Sequence, residues 1–358
     1  MTLIEDLNNY GPYSLDSVEK NQILGKFLYE IEELHLSKCN DYRNITKDWP
    51  FKSSNENSIE NLPFIPVRLF KELELLSVDK SEVKKTMMSS GTSGQTPSKI
   101  FLDGYTAANQ TKVLSKILTS YIGKKRLPML IIDSSSVLKD RNSFSARGAG
   151  ILGFSMYGFD VQYVLDEDFN LNIELIQNFL KKHNGESILL FGFTYIVWEY
   201  FNNALKKGNT KLNIENGILI HGGGWKKMQD SAVDTITFRK SLFENTGIQK
   251  VYNYYGLVEQ TGSIFMECEE GYLHSSIYSD IIIRNHQDYS VASIGKEGLV
   301  QLVSCLPTSY PGHSILTEDL GTIIGIDDCN CGRKGKYFTI SGRIKDAEVR
   351  GCSDTIQK

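Results

Sequence analysis

The sequence predicts an α/β fold with a largely parallel sheet, followed by a β-rich subdomain. Three observations predict it. Short apolar runs recur at 128–133, 161–165, 187–191, 217–221 and 251–255, as buried parallel strands read. Helix-like stretches alternate with them, which marks the α/β class. Beyond Gly262 the pattern changes to short strands and turns.

Residues 1–38 read as helical, with Ile23, Phe27, Leu28, Ile31 and Leu34 spaced for one face. Residues 40–61 are polar and turn-rich, and Pro63 and Pro66 bracket a short apolar run. Leu73 to Val78 leads toward a glycine-rich loop, and Lys99-Ile100-Phe101-Leu102 after it reads as a strand. The loop is therefore expected to connect a hairpin rather than feed a helix. Thr106 to Tyr121, Ile173 to Lys182, Thr194 to Leu205 and Phe238 to Thr246 read as helices. The strands expected after Gly262 are 272–276, 280–285, 298–304, 321–326 and 337–342. The expected division is an α/β core over 1–262, a β-rich subdomain over 263–345 and a C-terminal tail over 346–358. There is no internal repeat.

The chain has 358 residues, 41% of them hydrophobic and 23% charged, enough to bury a sizeable core. A formal charge of −4 gives no reason to expect nucleic-acid or membrane-surface binding. The start of the chain is not basic and no long apolar run follows it, so no secretory signal is expected. The longest apolar stretch, Ile188 to Trp198, is about half of a membrane span. Cys39, Cys268, Cys305, Cys329, Cys331 and Cys352 are scattered, which reads as reduced thiols, ligands or a nucleophile in a cytoplasmic protein.

The chemistry concentrates in five stretches. Ser89, Ser90, Gly91, Thr92, Ser93 and Gly94 form an unbroken hydroxyl and glycine run, continued by Thr96 and closed by Lys99. Glycines permit close backbone approach, and successive N–H groups make an anion-binding nest. No Walker A pattern is present, and a solvated turn is the plain alternative. His221-Gly222-Gly223-Gly224-Trp225 ends the fourth strand, where a flat ligand could lie on backbone or the chain could simply turn. Tyr254-Tyr255-Gly256-Leu257-Val258-Glu259 ends the fifth with a stacking aromatic and a carboxylate suited to Mg²⁺ beside phosphate. Thr317-Glu318-Asp319-Leu320-Gly321 and Ser341-Gly342-Arg343-Ile344-Lys345-Asp346 each read as an ordinary surface loop when taken alone. An aspartate can nevertheless hold both ribose hydroxyls, and an arginine can reach ribose or phosphate. Separately, Cys268 and His274 with the Cys329-Asn330-Cys331 knuckle make a Cys₃His set of the structural-zinc type, or four unrelated residues.

In this order the five stretches resemble the AMP-forming adenylating superfamily: acyl-CoA synthetases, luciferases and peptide-synthetase adenylation domains. The resemblance implies an adenylate-forming α/β domain with a β-rich subdomain, using ATP and Mg²⁺. It implies that Ser90 to Thr96 hold the pyrophosphate end of ATP and that Gly222, Gly223 and Gly224 back the adenine. Tyr255 would stack near adenine beside Gly256, Glu259 would bind Mg²⁺, Asp319 and Arg343 would hold the ribose, and Lys345 would sit at a hinge.

Full-length members of the superfamily continue past the hinge with a further domain that carries a catalytic lysine. This sequence stops at Lys358, thirteen residues after Lys345, so that domain is expected to be absent. The sequence resembles one branch in particular, the LuxE-like acyl-protein synthetases, through the segment 145–158 and through Cys352 close to the end. The resemblance implies that Cys352 accepts the acyl group; an incidental tail thiol is the plain alternative. From Lys345 to Cys352 the chain can span about 23 Å when extended. The expected activity is ATP-dependent activation of a carboxylic acid, preferably a fatty acid, and transfer to a thiol for hand-over to a reductase or carrier protein. Direct transfer to CoA or a carrier protein, and a binding module without catalysis, are the alternatives.

Overall fold

The computed structural model describes residues 3–49, 58–89, 97–138, 146–225 and 232–344. The chain forms two compact units that do not follow its order. One takes in the chain as far as Tyr121 and resumes at Gly256; the other runs Ile122–Tyr255.

The first unit opens with helices α1 (Leu3–Leu7), α2 (Ser17–Lys38) and α3 (Asn40–Thr46), then strand β1 (Ile65–Pro66) and helix α4 (Leu69–Glu72). Asp16 caps α2 by accepting from the Val18 and Glu19 amides, satisfying donors that a helix start leaves orphaned. The expected apolar face of α2 buries Phe27, Leu28 and Ile31, but the same helix also buries Lys20, Glu32 and His35. The polar stretch after residue 40 contains α3, which its composition hid. Strands β2 (Lys85–Met88) and β3 (Lys99–Leu102) pair antiparallel, Met88 opposite Lys99, so the glycine-rich loop does connect a hairpin. Helix α5 (Gly104–Ile122) follows.

The second unit carries the strand–helix alternation. Its elements are β4 (Leu127–Ser134), α6 (Ala146–Ser155), β5 (Gly158–Leu165), α7 (Ile173–Lys182), β6 (Ile188–Phe193), α8 (Thr194–Ile196), α9 (Asn203–Lys207), β7 (Gly217–Gly222), α10 (Thr235–Thr246) and β8 (Lys250–Tyr255). The strands lie in the order β8-β7-β6-β4-β5 and all pair in parallel. Every residue of β6 and β7 is buried, which explains their unbroken apolar character. The helix expected over 194–205 is interrupted by a π-turn at Val197–Asn202. There the buried Asn202 amide donates to Ser241 and its carbonyl accepts from Asn245, both on α10.

Back in the first unit come β9 (Phe265–Glu267), β10 (Leu273–His274), β11 (Ser279–Arg284), β12 (Glu297–Ser304), β13 (Ser314–Ile326) and β14 (Lys336–Arg343). They pair antiparallel in the order β11-β12-β13-β14-β10-β9, and β1 adds to β13 in parallel. Tyr42, Phe70, Ile100, Leu102, Tyr310 and Ile315 form a core joining the N-terminal elements to this sheet.

One expectation is corrected here. The strands expected over 321–326 and 337–342 extend further, so that 317–320 and Arg343, which alone read as surface loop, lie within β13 and β14. Charged Glu318 and Asp319 and the glycines of β13 mask the strand pattern. Gly321 is needed because a Cβ there would stand 2.8 Å from the Thr339 carbonyl oxygen of β14. Among the described residues no helix is long and apolar enough to cross a membrane.

Candidate functional site

The hairpin flanking the glycine loop extends one step beyond its strands. The Ser89 amide donates to the Ser98 carbonyl at 3.1 Å, and the Ser98 amide donates to Ser89 Oγ at 2.9 Å. Ser98 is buried and Lys99 exposed, so the loop's closing lysine faces solvent. Ser90, Gly91, Thr92, Ser93, Gly94 and Thr96 lie outside the described residues, as do Lys345 and Cys352.

Gly256 is exposed, and the chain then enters a single 3₁₀ turn, Val258–Gln260, in which Glu259 is buried. The turn is clamped on both sides. Its Glu259 carbonyl accepts from the Tyr310 hydroxyl at 2.9 Å, and the Gln260 amide donates to the carbonyls of Leu302 and Gly312. Burial, with Glu259 beside it, pushes the Tyr310 hydroxyl far above the ordinary tyrosine range, so it stays a donor.

Asp319 and Arg343 are brought together. They are direct partners in the β13–β14 register, and Arg343 Nε donates to Asp319 Oδ1 at 2.8 Å. Asp319 is buried and Arg343 is a third exposed, so the pair presents one guanidinium edge to solvent from a rigid strand. The Asp319 amide donates to Thr317 Oγ1 at 3.1 Å, which fixes the strand just before the carboxylate.

In the second unit the three glycines after His221 have separate reasons. A Cβ on Gly222 would lie 2.4 Å from the Tyr254 ring, its register partner on β8. Gly223 has φ +86 and a Cβ there would meet the Phe193 ring at 2.8 Å, while Gly224 has φ +63 with open space around it. Tyr254 packs with Phe154, ring centroids 5.2 Å apart. Tyr255, the next residue along the strand, points to the opposite face and is half-buried. His221 itself is buried, and its Nδ1 donates to Thr194 Oγ1 at 2.9 Å, whose own proton goes to the Gly222 carbonyl. Burial, helped by Arg239, pushes His221 down to about 3, so the ring stays neutral. Phe191 is buried and stacks on Phe154 at 4.1 Å, so it fills the core.

The Cys₃His set is assembled in the first unit. Ligand atoms of Cys268, His274, Cys329 and Cys331 all lie within 4.8 Å of one another. Cys268 Sγ is 3.9 Å from Cys329 Sγ, and Cys331 Sγ is 3.4 Å from His274 Nε2. Tetrahedral zinc with Zn–S bonds of about 2.3 Å holds its sulfurs roughly 3.8 Å apart, so the donors fit that ion. Burial pushes the Cys329 thiol up to about 12 and the His274 ring down to about 4. The imidazole is thus held in the neutral form that a ligand needs. His274 Nδ1 is buried without a hydrogen-bond partner. The turn after β9 supplies Cys268, β10 supplies His274, and the turn between β13 and β14 supplies Cys329 and Cys331.

Sequence reasoning missed a buried ion pair in the second unit. Asp133, at the carboxyl end of β4, meets Arg147 of α6 with Nη2–Oδ1 at 3.1 Å and Nε–Oδ2 at 3.0 Å. Burial raises the Asp133 carboxyl to about 6 against the opposing pull of Arg147. The available signal was an arginine inside an otherwise small and apolar segment, 146–155. It also missed the buried connection between β12 and β13.

Comparison with known proteins identifies the family and the fold. The family model described as acyl-protein synthetase, LuxE, matches residues 3–358. A long-chain-fatty-acid–luciferin-component ligase of Aliivibrio fischeri is 22% identical over 359 residues, 94% of this chain and 88% of the relative. The ligase of the same description from Vibrio harveyi is 22% identical over 365 residues, 98% and 92% of the two chains. Among solved structures, 2-hydroxyisobutyryl-CoA ligase in the postadenylation state with 2-HIB-AMP is similar at a TM-score of 0.69 and 15% identity, over 94% of this chain and 70% of that one. Its open conformation with 2-HIB-AMP and CoA gives 0.68 over 94% and 77%. That likeness establishes an adenylate-forming ligase fold. With the family match spanning the sequence, the chain belongs to the LuxE family of acyl-protein synthetases and is an ATP-dependent acyl ligase.

Proposed function

We propose that the protein activates a fatty acid with ATP to an acyl-adenylate, and then moves the acyl group onto the thiol of Cys352 for hand-over to a reductase or another acceptor. In the first step a carboxylate oxygen attacks the α-phosphorus, the bond to the bridging oxygen breaks and pyrophosphate leaves. In the second the Cys352 thiolate attacks the acyl carbonyl carbon, AMP leaves with the bond electrons and the thiol proton passes to solvent.

Ser89 to Thr96 and Lys99 grip the pyrophosphate end through backbone and hydroxyl donors. Asp319 accepts from the ribose hydroxyls while Arg343 orients it. Gly222, Gly223 and Gly224 leave a flat backbone for the adenine, Tyr255 stacks on it, and Gly256 lets the chain turn beside it. Glu259 holds Mg²⁺, which neutralises developing phosphate charge when bound. Lys345 sits at the hinge before the tail. The observation that carries this reading is the strand-held Asp319–Arg343 pair at 2.8 Å, within the same compact unit as Glu259 and the glycine-loop hairpin.

The fatty-acid preference rests on the two luciferin-component ligases that the chain resembles. Cytoplasmic residence is part of the proposal and rests on the five cysteines among the described residues, none of which forms a disulfide. The deciding assay is ATP–pyrophosphate exchange across a series of acids: exchange that appears only with fatty acids supports the reading, and none with any acid defeats it.

The second element of the proposal is one structural zinc ion on Cys268, His274, Cys329 and Cys331. It would cross-link β9–β10 to the β13–β14 turn. Metal analysis of protein purified without chelator should find one zinc per chain, lost in Cys329→Ser; zinc-free wild-type protein refutes it.

A further inference from the structure

The segment joining β12 to β13, 305–313, has no regular structure and yet is buried throughout: Ser309, Tyr310 and His313 are each 0% exposed. A buried loop must satisfy its polar groups internally. This one does so by reaching three separate parts of its unit.

Toward the glycine-loop hairpin, the Ser309 hydroxyl donates to the Phe101 carbonyl of β3 at 2.8 Å. The Ser309 carbonyl accepts from the Ser77 amide at 2.8 Å, and Thr308 Oγ1 lies 2.8 Å from Thr106 Oγ1 in the first turn of α5. Toward the Glu259 turn, the Tyr310 hydroxyl donates to the Glu259 carbonyl at 2.9 Å and the Gly312 carbonyl accepts from Gln260 Nε2 at 2.9 Å. Gly312 has no room for a Cβ, which would stand 2.3 Å from the Tyr310 ring and 2.9 Å from the Glu259 carbonyl oxygen. Toward α2 and α3, His313 Nε2 donates to Glu32 Oε2 at 2.7 Å, and the Tyr42 hydroxyl donates to the same oxygen at 2.6 Å. His35 Nε2 donates to the Pro307 carbonyl at 3.1 Å, its ring 4.9 Å from that of His313.

We propose that 305–313 is the positioning element of the adenylating site, with Tyr310 and Ser309 as positioning residues and the His313–Glu32 pair as its anchor. It sets the distance between the strand that leaves the phosphate loop and the backbone of the magnesium ligand. The inference rests on the proposed roles of that loop and of Glu259. Neither Tyr310 nor Ser309 needs to touch substrate. Each acts through one backbone carbonyl, and misplacement by a fraction of an ångström at a phosphate-binding site is costly.

The test is ATP–pyrophosphate exchange with the full chain, titrating ATP, Mg²⁺ and fatty acid separately. Tyr310→Phe removes only the hydroxyl, and Ser309→Ala removes the corresponding bond on the β3 side. Each should raise the KM for Mg-ATP roughly fivefold or more, leave the KM for the acid unchanged, and recover rate at excess Mg²⁺. If both variants fold and keep the wild-type KM for Mg-ATP and the wild-type Mg²⁺ dependence, losing only melting temperature, the segment is a structural filler and the proposal fails. If one variant does not fold, the other decides alone; Glu32→Gln, which weakens the anchor without emptying space, should then shift the same KM in the same direction. Absence of exchange in the wild-type chain would instead overturn the adenylation reading itself.

Discussion

Asp319 and Arg343 face each other across β13 and β14 as direct register partners, joined by an Nε–Oδ1 hydrogen bond of 2.8 Å. A pair held by two strands loses little freedom when a ligand arrives. Charge-assisted hydrogen bonds are worth about 1.5–3 kcal/mol, so Arg343→Lys or Asp319→Asn should raise the KM for ATP by roughly tenfold or more. The KM for the acid should stay put. Steady-state exchange kinetics check this; an unchanged ATP KM in both variants would remove the pair from the site.

Gly222 is required by one ring. Gly222→Ala places a methyl into Tyr254, 2.4 Å away, and overpacking of this kind costs about 1–3 kcal/mol. Tyr254→Val should give much of that back when combined with Gly222→Ala. Gly224→Ala has open space and φ +63, so its cost of about 1–2 kcal/mol is backbone strain and should not respond to Tyr254→Val. Urea denaturation of the single and double variants measures the coupling.

His221 gives the fold a pH dependence of known sign. Its folded-state value is about 3 against an ordinary 6.5, so the native state binds fewer protons than the unfolded chain between those values. Stability from this group is complete above the unfolded value and declines as pH falls toward 3. His221→Phe should therefore lose less stability than wild type between roughly pH 7 and pH 4.5. Equal losses on acidification would show that His221 is not held neutral.

Much of this was readable from residue order. The central parallel strands were readable because both faces of β6 and β7 are buried, so β6 holds no polar residue and β7 only His221 near its end. The hairpin around the glycine loop followed from the β-favouring run Lys99–Leu102. Asp319 and Arg343 read as loop residues when their stretches were taken alone, because a strand carrying Glu318, Asp319, Gly321 and Gly325 does not alternate cleanly. The anchoring segment 305–313 was illegible for a stronger reason: two prolines, a glycine and several hydroxyls look like a surface turn. Only the tertiary partners Glu32, Phe101 and Glu259 reveal it as interior. Asp133 and Arg147 are likewise distant enough in sequence to conceal their pairing.

The central claim is that the activated acyl group ends on Cys352. Intact-mass spectrometry of the protein after incubation with ATP, Mg²⁺ and a fatty acid tests it directly. One acyl adduct per chain is expected, labile to hydroxylamine as a thioester, and absent from Cys352→Ser even though that variant still releases pyrophosphate. Pyrophosphate release by the wild-type protein with no adduct, or an adduct that survives in Cys352→Ser, would contradict it.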